Sequence, residues 1–266
     1  MTDPYVVVSL SGGKDSTAML LHMIELNEPI NEVLTCDTGM EFSAMYEHLD
    51  RLYKIIRDKG IKLTVLKNEN SFYYFLAKVP IQSDKYGDHY GYGWPSATTR
   101  WCTKHLKLKL ISDYLKNLKN QHKEIIQCVG LAADELDRAQ RDNNKKNRHP
   151  LIEWGWTEKD CLDYCYSRGF DWGGLYTIFN RVSCWCCPLT PLSELKKLWW
   201  DYPDLWHKLE LWEIELSTHP NIGKRGKYMF KGELSVFDLG LRFSKEMKKE
   251  FYEQKLKLKQ SKLEVL

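Results

Sequence analysis

The chain has 266 residues, of which 43% are hydrophobic and 28% are charged, as is usual for a globular protein. A formal net charge of only +3 excludes a protein that attracts nucleic acid through its overall charge. No apolar run approaches the roughly 20 residues of a membrane span, and residues 1–4 do not begin a signal peptide. We therefore expect a cytoplasmic protein with no membrane partner, in which the eight cysteines favour metal binding or thiol chemistry over disulfides.

The first third of the chain alternates between strand and helix patterns. It opens with a continuous β-branched run, YVVVSL, typical of a strand that is buried on both faces. Strands are predicted at residues 5–10, 33–36 and 61–66, and helices at residues 15–26 and 44–57. This alternation predicts right-handed crossovers and an α/β fold with a doubly wound, mostly parallel sheet.

Residues 80–99 interrupt the alternation with glycines and a proline placed among tyrosines and a tryptophan. A loop of this length inside a domain is usually functional, and we expect a lid over a nucleotide or substrate. A basic helix at 104–118, a strand at 124–129 and an exposed, charged connection at 137–149 are predicted next.

Thr157 is predicted to cap a helix that ends near Arg168, with Asp160 at the third helical position. Further helices are predicted at residues 192–200, 205–216 and 244–259. We therefore expect a nucleotide-binding domain at 1–190, which includes a cysteine cluster, followed by a helical C-terminal extension at 191–266.

Residues 11–16, SGGKDS, lie between the first predicted strand and the first predicted helix. Gly12 and Gly13 allow the backbone to approach an anion closely, and the free N–H groups of the helix start point towards it. Ser11 and Ser16 add hydroxyl donors, Lys14 adds a positive charge, and Asp15 could help to hold Mg²⁺ on a bound pyrophosphate. The spacing differs from that of a P-loop, GxxxxGK followed by Ser or Thr.

This loop resembles the SGGxDS signature of the ATP pyrophosphatase (PP-loop) superfamily, whose members adenylate a substrate and release pyrophosphate. Residues 36–42, CDTGMEF, resemble the DTGxxF segment of its phosphoadenosine phosphosulfate reductase-like branch. Residues 130–138, GLAADELDR, resemble the GxRxxExxR segment of that branch. The resemblance covers roughly residues 5–190 and implies a Rossmann-like fold of the adenine nucleotide α-hydrolase type.

The resemblance also implies which residues form the site. The nucleotide would contact Ser9, Ser11, Gly12, Gly13, Lys14, Asp15, Ser16, Asp37, Thr38, Gly39 and Gly130. Lys14, Asp15, Asp37 and Asp134 are expected to work on the phosphates and the metal. Arg138 is a candidate for anchoring the departing phosphates, with a surface ion pair to Glu135 as the alternative.

Cys184 and Cys187 have CxxC spacing, and Pro188 follows, as it does in iron–sulfur proteins. Cys102 precedes a predicted helix in a basic stretch, which favours a thiolate. The resemblance places cysteines at all three positions, so we expect a 4Fe–4S cluster with one iron open to carry a hydrosulfide. Cys186 would be a fourth ligand or a persulfide carrier, and a structural zinc site or a redox pair remains open.

Phosphosulfate reductases carry a catalytic cysteine in a C-terminal tail, whereas no cysteine follows Cys187 here, and Ala132 replaces an arginine of the family segment. We therefore expect a sulfurtransferase that adenylates an acceptor with ATP and then delivers sulfur from sulfide or from the persulfide of a cysteine desulfurase. A sulfonucleotide reductase and the nucleotide-binding subunit of a DNA-modification or defence system are the alternatives.

Basic stretches at residues 104–123 and 224–262, near aromatic loops, suit tRNA or single-stranded nucleic acid as the acceptor. Solvated helix faces explain the same charges, so a small molecule or a peptide stays open as the acceptor. A homodimer is also considered.

Overall fold

The computed structural model describes residues 3–85, 87–140, 147–218 and 228–263. The middle of the predicted 137–149 connection and the beginning of the basic stretch at 224–262 lie outside the described residues. No helix within these ranges is both long and apolar enough to cross a bilayer.

The described chain contains seven strands and eleven α-helices. The strands are β1 (Tyr5–Ser9), β2 (Glu32–Asp37), β3 (Lys62–Lys67), β4 (Pro80–Ile81), β5 (His89–Tyr90), β6 (Ile125–Val129) and β7 (Asn147–Arg148). The helices are α1 (Lys14–Glu25), α2 (Ser43–Asp58), α3 (Trp101–Thr103), α4 (Lys109–Lys119), α5 (Leu136–Gln140), α6 (Pro150–Glu153), α7 (Glu158–Ser167), α8 (Leu175–Ile178), α9 (Leu192–Asp201), α10 (Pro203–Thr218) and α11 (Val236–Leu263). A π-helical stretch, Lys104–Leu108, joins α3 to α4.

The chain divides into two compact units. The described residues of Met1–Phe72 and Trp101–Cys184 form the first unit, and those of Tyr73–Arg100 and Trp185–Leu266 form the second. The first unit therefore contains the five-stranded sheet, and the second contains the β4–β5 hairpin together with α9, α10 and α11.

The sheet of the first unit has the strand order β3–β2–β1–β6–β7, and every pair of neighbours is parallel. Val7 and Leu34 form a buried cluster with Leu118 of α4. Val6 and Val8 point to the opposite face because side chains alternate along a strand, and they too are buried. Helices therefore cover both faces, and the predicted doubly wound sheet is confirmed.

The topology brings three loops to one edge of this sheet. β1 lies between β2 and β6, so the chain leaves the carboxyl ends of three adjacent parallel strands at residues 10–13, 38–42 and 130–132. In open α/β sheets this edge, where the strand order reverses, is where ligands bind.

Local signals explain where the prediction agrees with the structure and where it differs. Thr157 and Asp160 form the predicted capping box at the start of α7. α11 begins at Val236, earlier than predicted, because Ser235 and Asp238 exchange the same kind of capping hydrogen bonds. The two-residue strand β7 was missed because its pattern is too short to read in sequence.

Residues 80–99 are more ordered than the predicted loop. They carry the β4–β5 hairpin, and Gly91 lies so close to residues 76 and 77 that a Cβ would come within 2.3 Å of the Leu76 carbonyl oxygen. Trp94 is buried and makes an edge-to-face contact with Phe230 in the same unit. A role for this segment as a lid stays a prediction.

A buried carboxylate organises the second unit. Glu213 of α10 accepts the backbone N–H of Phe230, at 3.2 Å, and that of Val236, at 2.7 Å. Its side chain holds the start of α11 and the chain before it, although burial raises its pKa to about 7.

This pKa predicts a pH-dependent stability. Because the native Glu213 binds its proton more tightly than an unfolded glutamate, whose pKa is about 4.5, the protein loses stability as the pH rises from about 5 to 8. We expect Glu213→Gln to flatten this part of the curve of unfolding free energy against pH by roughly 1–3 kcal/mol. Urea unfolding at several pH values measures it, with the exposed Glu233→Gln as the control; equal slopes in all three proteins would contradict the prediction.

Candidate functional site

The turn from β1 into α1 requires a glycine at residue 12. Gly12 has a φ of +82°, and a Cβ there would lie 2.9 Å from side-chain atoms of Leu49 and Met45. Within the described residues, the N–H groups of Gly12 and Gly13 have no hydrogen-bond acceptor. They precede the N-terminus of a 12-residue helix, where the helix dipole also favours an anion.

Two hydroxyls fix the shape of this turn. The Ser16 hydroxyl accepts the N–H of Ser11 at 3.1 Å and lies 3.0 Å from the Ser11 hydroxyl. It also donates to the Gly13 carbonyl at 3.1 Å. Ser11 and Ser16 therefore close the loop on itself without using the N–H groups of Gly12 and Gly13.

Lys14 is a nearly buried cation held by two carboxylates. Its Nζ lies 2.6 Å from Glu158 Oε2 and 3.4 Å from Asp15 Oδ1, and its side chain is only 9% exposed. Burial alone would lower the pKa of Lys14, but the hydrogen bond to Glu158 and the charge of Asp15 outweigh it and raise the pKa. Lys14 therefore stays charged, with its ammonium held beside the loop.

Three carboxylates gather beside this lysine. One oxygen each from Asp15, Glu135 and Glu158 lies within 4.8 Å of the other two. Burial raises the pKa of Asp15 to about 6, and Glu158 acts in the same direction against the charge of Lys14. Carboxylate oxygens at this spacing are of the kind that bind Mg²⁺.

Asp134 and Arg138 have other partners in this structure. The Asp134 carboxylate accepts the backbone N–H of Glu158 at 3.1 Å, at the first residue of α7. Arg138 forms an ion pair with Glu135, which is the alternative that the sequence left open for this arginine. Their predicted work on phosphates and metal stays a prediction.

The segment that follows β2 is shaped by its own aspartate. Asp37 Oδ1 accepts the N–H of Gly39 at 2.8 Å and the hydroxyl of Tyr46 at 3.0 Å, and Oδ2 accepts the Lys67 ammonium at 2.7 Å. The Thr38 hydroxyl accepts the N–H two residues further on. Asp37 thus stabilises the turn that carries Thr38 and Gly39, beside the loop after β1.

Close backbone contacts tie β6 to the same loop. The Ser9 hydroxyl, at the end of β1, accepts a hydrogen bond from the Gln127 amide at 2.8 Å. A Cβ on Gly130 would lie 2.9 Å from Ser16 Cα, so only glycine fits where the chain passes the start of α1.

Besides Glu158, two more residues that contact the loop were not predicted from the sequence. Trp172 donates its indole N–H to the Gly12 carbonyl at 2.7 Å, and the Tyr176 hydroxyl accepts the N–H of Lys14 at 3.0 Å. Both lie about 160 residues along the chain from the loop. The pair of glycines at 173 and 174, which take φ of +58° and +83°, was the one local signal that the chain turns sharply there.

The first unit also contains three thiols near a lysine. Cys184 Sγ lies 3.6 Å from Glu41 Oε1, and Lys107 Nζ lies 3.9 Å from the same oxygen. Burial would lower the pKa of Lys107, but the charges of Cys184, Glu41, Cys36 and Cys102 together raise it. Cys36, Cys102 and Cys184 thus lie near enough to the Lys107 ammonium for their charges to act on it, and neither Glu41 nor Lys107 was predicted from the sequence.

The other two predicted ligand cysteines belong to the second unit. Cys186 is buried and Cys187 is partly exposed. Lys231 donates to the carbonyls of Pro188, at 2.7 Å, and Thr190, at 2.8 Å, so it fixes the chain directly after Cys187. Burial lowers the pKa of Lys231, while the charge of Cys187 opposes this. The common cluster of these cysteines with Cys102 and Cys184 stays a prediction.

A parallel α/β sheet with a glycine turn at the start of its first helix, next to a lysine and carboxylates, defines a nucleotide-binding class of protein. The chain belongs to the phosphoadenosine phosphosulfate reductase domain family, whose family model matches residues 5–190. The resemblance found in the sequence is therefore confirmed.

The chain is also similar to two uncharacterized proteins of Methanocaldococcus jannaschii. One is 28% identical over 247 residues, which is 85% of this chain and 46% of the relative. The other is 27% identical over 206 residues, which is 75% of this chain and 45% of the relative. The chain thus spans about half the length of the curated relatives it matches.

Among solved structures, the U34-tRNA thiolase NcsA from Methanococcus maripaludis, with its 4Fe–4S cluster, is similar at 14% sequence identity. The alignment covers 93% of this chain and 74% of that chain, with a TM-score of 0.41.

The contact between Gly130 and Ser16 gives a direct test of the loop's packing. Gly130→Ala would force the backbone of Ser16 to move, and we expect a loss of roughly 1–3 kcal/mol in unfolding free energy. Gly240→Ala is the matched control, since its Cβ meets nothing closer than 3.5 Å within helix α11, where alanine is favoured. Urea unfolding compares the two; a Gly130→Ala protein as stable as the Gly240→Ala protein would show that the contact is not tight.

Proposed function

We propose that the chain binds ATP at residues 11–16 and cleaves it between the α- and β-phosphates, transferring the adenylate to an acceptor and releasing pyrophosphate. The observation that carries this proposal is the pair of unsatisfied N–H groups of Gly12 and Gly13, at the start of α1 and beside the Lys14 ammonium. Membership of the phosphoadenosine phosphosulfate reductase domain family supports it.

The roles of the charged residues follow from their positions. Lys14 would neutralise charge that builds up on the departing phosphates as the bond to the α-phosphate breaks. Asp15, together with Glu135 and Glu158, offers the oxygens that would hold Mg²⁺, which when bound neutralises the pyrophosphate. The nucleotide must take the Lys14 ammonium from Glu158, so Glu158 is free to turn to the metal.

We further propose that the adenylated acceptor then receives sulfur at the activated carbon: the new carbon–sulfur bond replaces the bond to the adenylate oxygen, and AMP leaves. The chemistry of the donor set supports a sulfur-handling metal centre: it consists of thiols, of which Cys102 and Cys184 act electrostatically on the Lys107 ammonium and Cys187 on that of Lys231. Cations near thiols favour the thiolate form that binds metals. Cys102, Cys184, Cys187 and Cys186 are the residues that would hold a 4Fe–4S cluster, which when bound supplies sulfide; zinc is the alternative occupant.

A nucleic acid, with tRNA as the leading case, is the acceptor that the surface charge favours. Five lysines on and around α4 are exposed, and none of them forms an ion pair within the described residues: Lys104, Lys109, Lys116, Lys119 and Lys123. Unpaired lysines at this density attract a phosphate backbone in a salt-dependent way.

Lys14→Met tests the adenylation step. We expect the wild-type protein to release pyrophosphate from ATP when bulk tRNA is added, and the variant to lose at least about 100-fold in rate, because it lacks the charge at the phosphates. An enzyme-coupled pyrophosphate assay measures the rate. Lys159→Met is the control, since Lys159 is an exposed lysine of the same unit that pairs with Asp163.

Three results would redirect the proposal. Turnover with a small molecule or peptide instead of tRNA would change only the acceptor. Release of sulfite from phosphoadenosine phosphosulfate, with a thiol as the reductant, would assign the reductase activity that the family description names. Absence of pyrophosphate release with every acceptor would contradict adenylation and leave a nucleotide-binding subunit.

Metal and sulfide analysis tests the cysteines. Protein purified without oxygen is expected to contain iron and acid-labile sulfide and to show the broad visible absorbance of a 4Fe–4S cluster. Cys102→Ala, Cys184→Ala and Cys187→Ala should each lose them, whereas Cys128→Ala, in the buried core of β6, should retain them. Zinc without sulfide would establish the structural zinc alternative, and neither metal would contradict the proposed centre.

A further inference from the structure

The chain before Tyr176 bends towards the turn at residues 11–16, and this bend has a local cost in backbone conformational energy. Trp172, Gly173 and Gly174 are three consecutive residues with positive φ, of which Trp172, at +52°, is not a glycine. A bulky residue in this region costs roughly 1–3 kcal/mol and persists only where its surroundings fix it. Here the fixing contacts are at the loop itself, because Trp172 is buried and donates its indole N–H to the Gly12 carbonyl.

This bend delivers the Tyr176 hydroxyl onto the Gly13–Lys14 peptide. The hydroxyl oxygen accepts the N–H of Lys14 at 3.0 Å, and it would lie 3.5 Å from a Cβ on Gly13. The Tyr176 ring makes an edge-to-face contact with Trp172, with ring centroids 4.7 Å apart. Packing thus holds the hydroxyl beside Gly13, whose own N–H has no acceptor within the described residues.

The Tyr176 hydroxyl has one hydrogen bond left to give. A phenol is both an acceptor and a donor, and its acceptor side is used by Lys14. No atom of the described part of the chain accepts its proton. Burial raises the pKa of Tyr176, so the hydroxyl keeps that proton at neutral pH.

We propose that Tyr176 is a phosphate-binding residue: its hydroxyl accepts the Lys14 N–H and donates to an oxygen of the pyrophosphate group bound on the N–H groups of Gly12 and Gly13. The hydroxyl occupies the Lys14 N–H, which would otherwise be the next main-chain donor after Gly12 and Gly13. It offers its own O–H as a donor in place of that N–H. This inference rests on the proposed binding of a nucleotide at residues 11–16.

A competing geometry makes the opposite prediction. If the hydroxyl occupies the place of a phosphate oxygen on the Lys14 N–H, an incoming anion must displace it. Removing the hydroxyl would then strengthen binding, whereas removing a phosphate donor would weaken it. The sign of the change therefore decides between the two.

The test is Tyr176→Phe in the full chain, with inorganic pyrophosphate in buffer containing Mg²⁺ as the probe. We expect Kd to rise by about 10- to 100-fold, as for the loss of a hydrogen bond to a charged group. Isothermal titration calorimetry measures it, and the thermal unfolding midpoint checks that the ring still packs. Tyr166→Phe is the control, because the exposed Tyr166 ring also contacts Trp172 but its hydroxyl is far from any proposed contact with phosphate.

Unchanged or tighter binding in Tyr176→Phe would overturn the role of Tyr176 and leave the proposed function standing. Failure of the wild-type protein to bind either pyrophosphate or ATP would overturn both. If the variant does not fold, fluorotyrosine-labelled wild-type protein provides the second measurement. A fluorine NMR resonance should shift when pyrophosphate is added and stay unchanged with adenosine, and a spectrum that does not respond to pyrophosphate would overturn the proposal.

Discussion

One steric constraint underlies the site: at Gly12, the turn from β1 into α1 has no room for a side chain. Side chains of Leu49 and Met45 fill the space next to Gly12, and its positive φ would disfavour any other residue even without them. Because Gly12 and Gly13 have no side chains, no side chain of their own covers their N–H groups, which have no acceptor within the described residues. The segment after β6 is under the same constraint, because it passes the start of α1 at Gly130 with no space for a Cβ. The donors that this turn would offer to an anion are therefore main-chain N–H groups, with the Tyr176 hydroxyl beside them.

Support for this turn comes from a distant part of the sequence. Trp172 bonds to the Gly12 carbonyl, and its ring stacks on His48, with ring centroids 4.6 Å apart. His48 lies 3.1 Å from the Thr17 hydroxyl, and burial lowers the pKa of His48 to about 4, so the imidazole stays neutral at physiological pH. A neutral imidazole adds no charge behind the loop. Lys14 is then the buried cation of the turn, and the carboxylates around its ammonium set the local electrostatics.

The parts of this site that could be predicted are those that depend on neighbours in sequence. The strand, glycine turn and helix of residues 5–25 were predicted closely because hydrophobic pattern and turn chemistry act locally, and Thr157 was recognised as a cap for the same reason. Glu158, Trp172 and Tyr176 were missed because each meets the loop across more than 140 residues of chain. Nothing in their local patterns distinguishes a surface glutamate from one that binds Lys14. Asp134 was predicted from its place in a family segment; its carboxylate accepts the backbone N–H of Glu158, and its role at the phosphates and the metal stays a prediction.

The balance of charge at the loop bears on the form in which a nucleotide would bind. Asp15, Glu135 and Glu158 bring three carboxylates together, while Lys14 and Arg138 are the cations that pair with them. With all three ionised, the group is left with one negative charge in excess. Burial is the main reason that the pKa of Asp15 rises to about 6, and the charges of Glu158 and Glu135 act in the same direction. A bare triphosphate would add further negative charge and be repelled, whereas a triphosphate that carries Mg²⁺ brings the cation the carboxylates lack. The glycine N–H groups could bind any small anion, so the carboxylates would select the metal-bound nucleotide. Glu158 would couple phosphate binding to metal binding, because it would release Lys14 to the phosphates and turn to the metal.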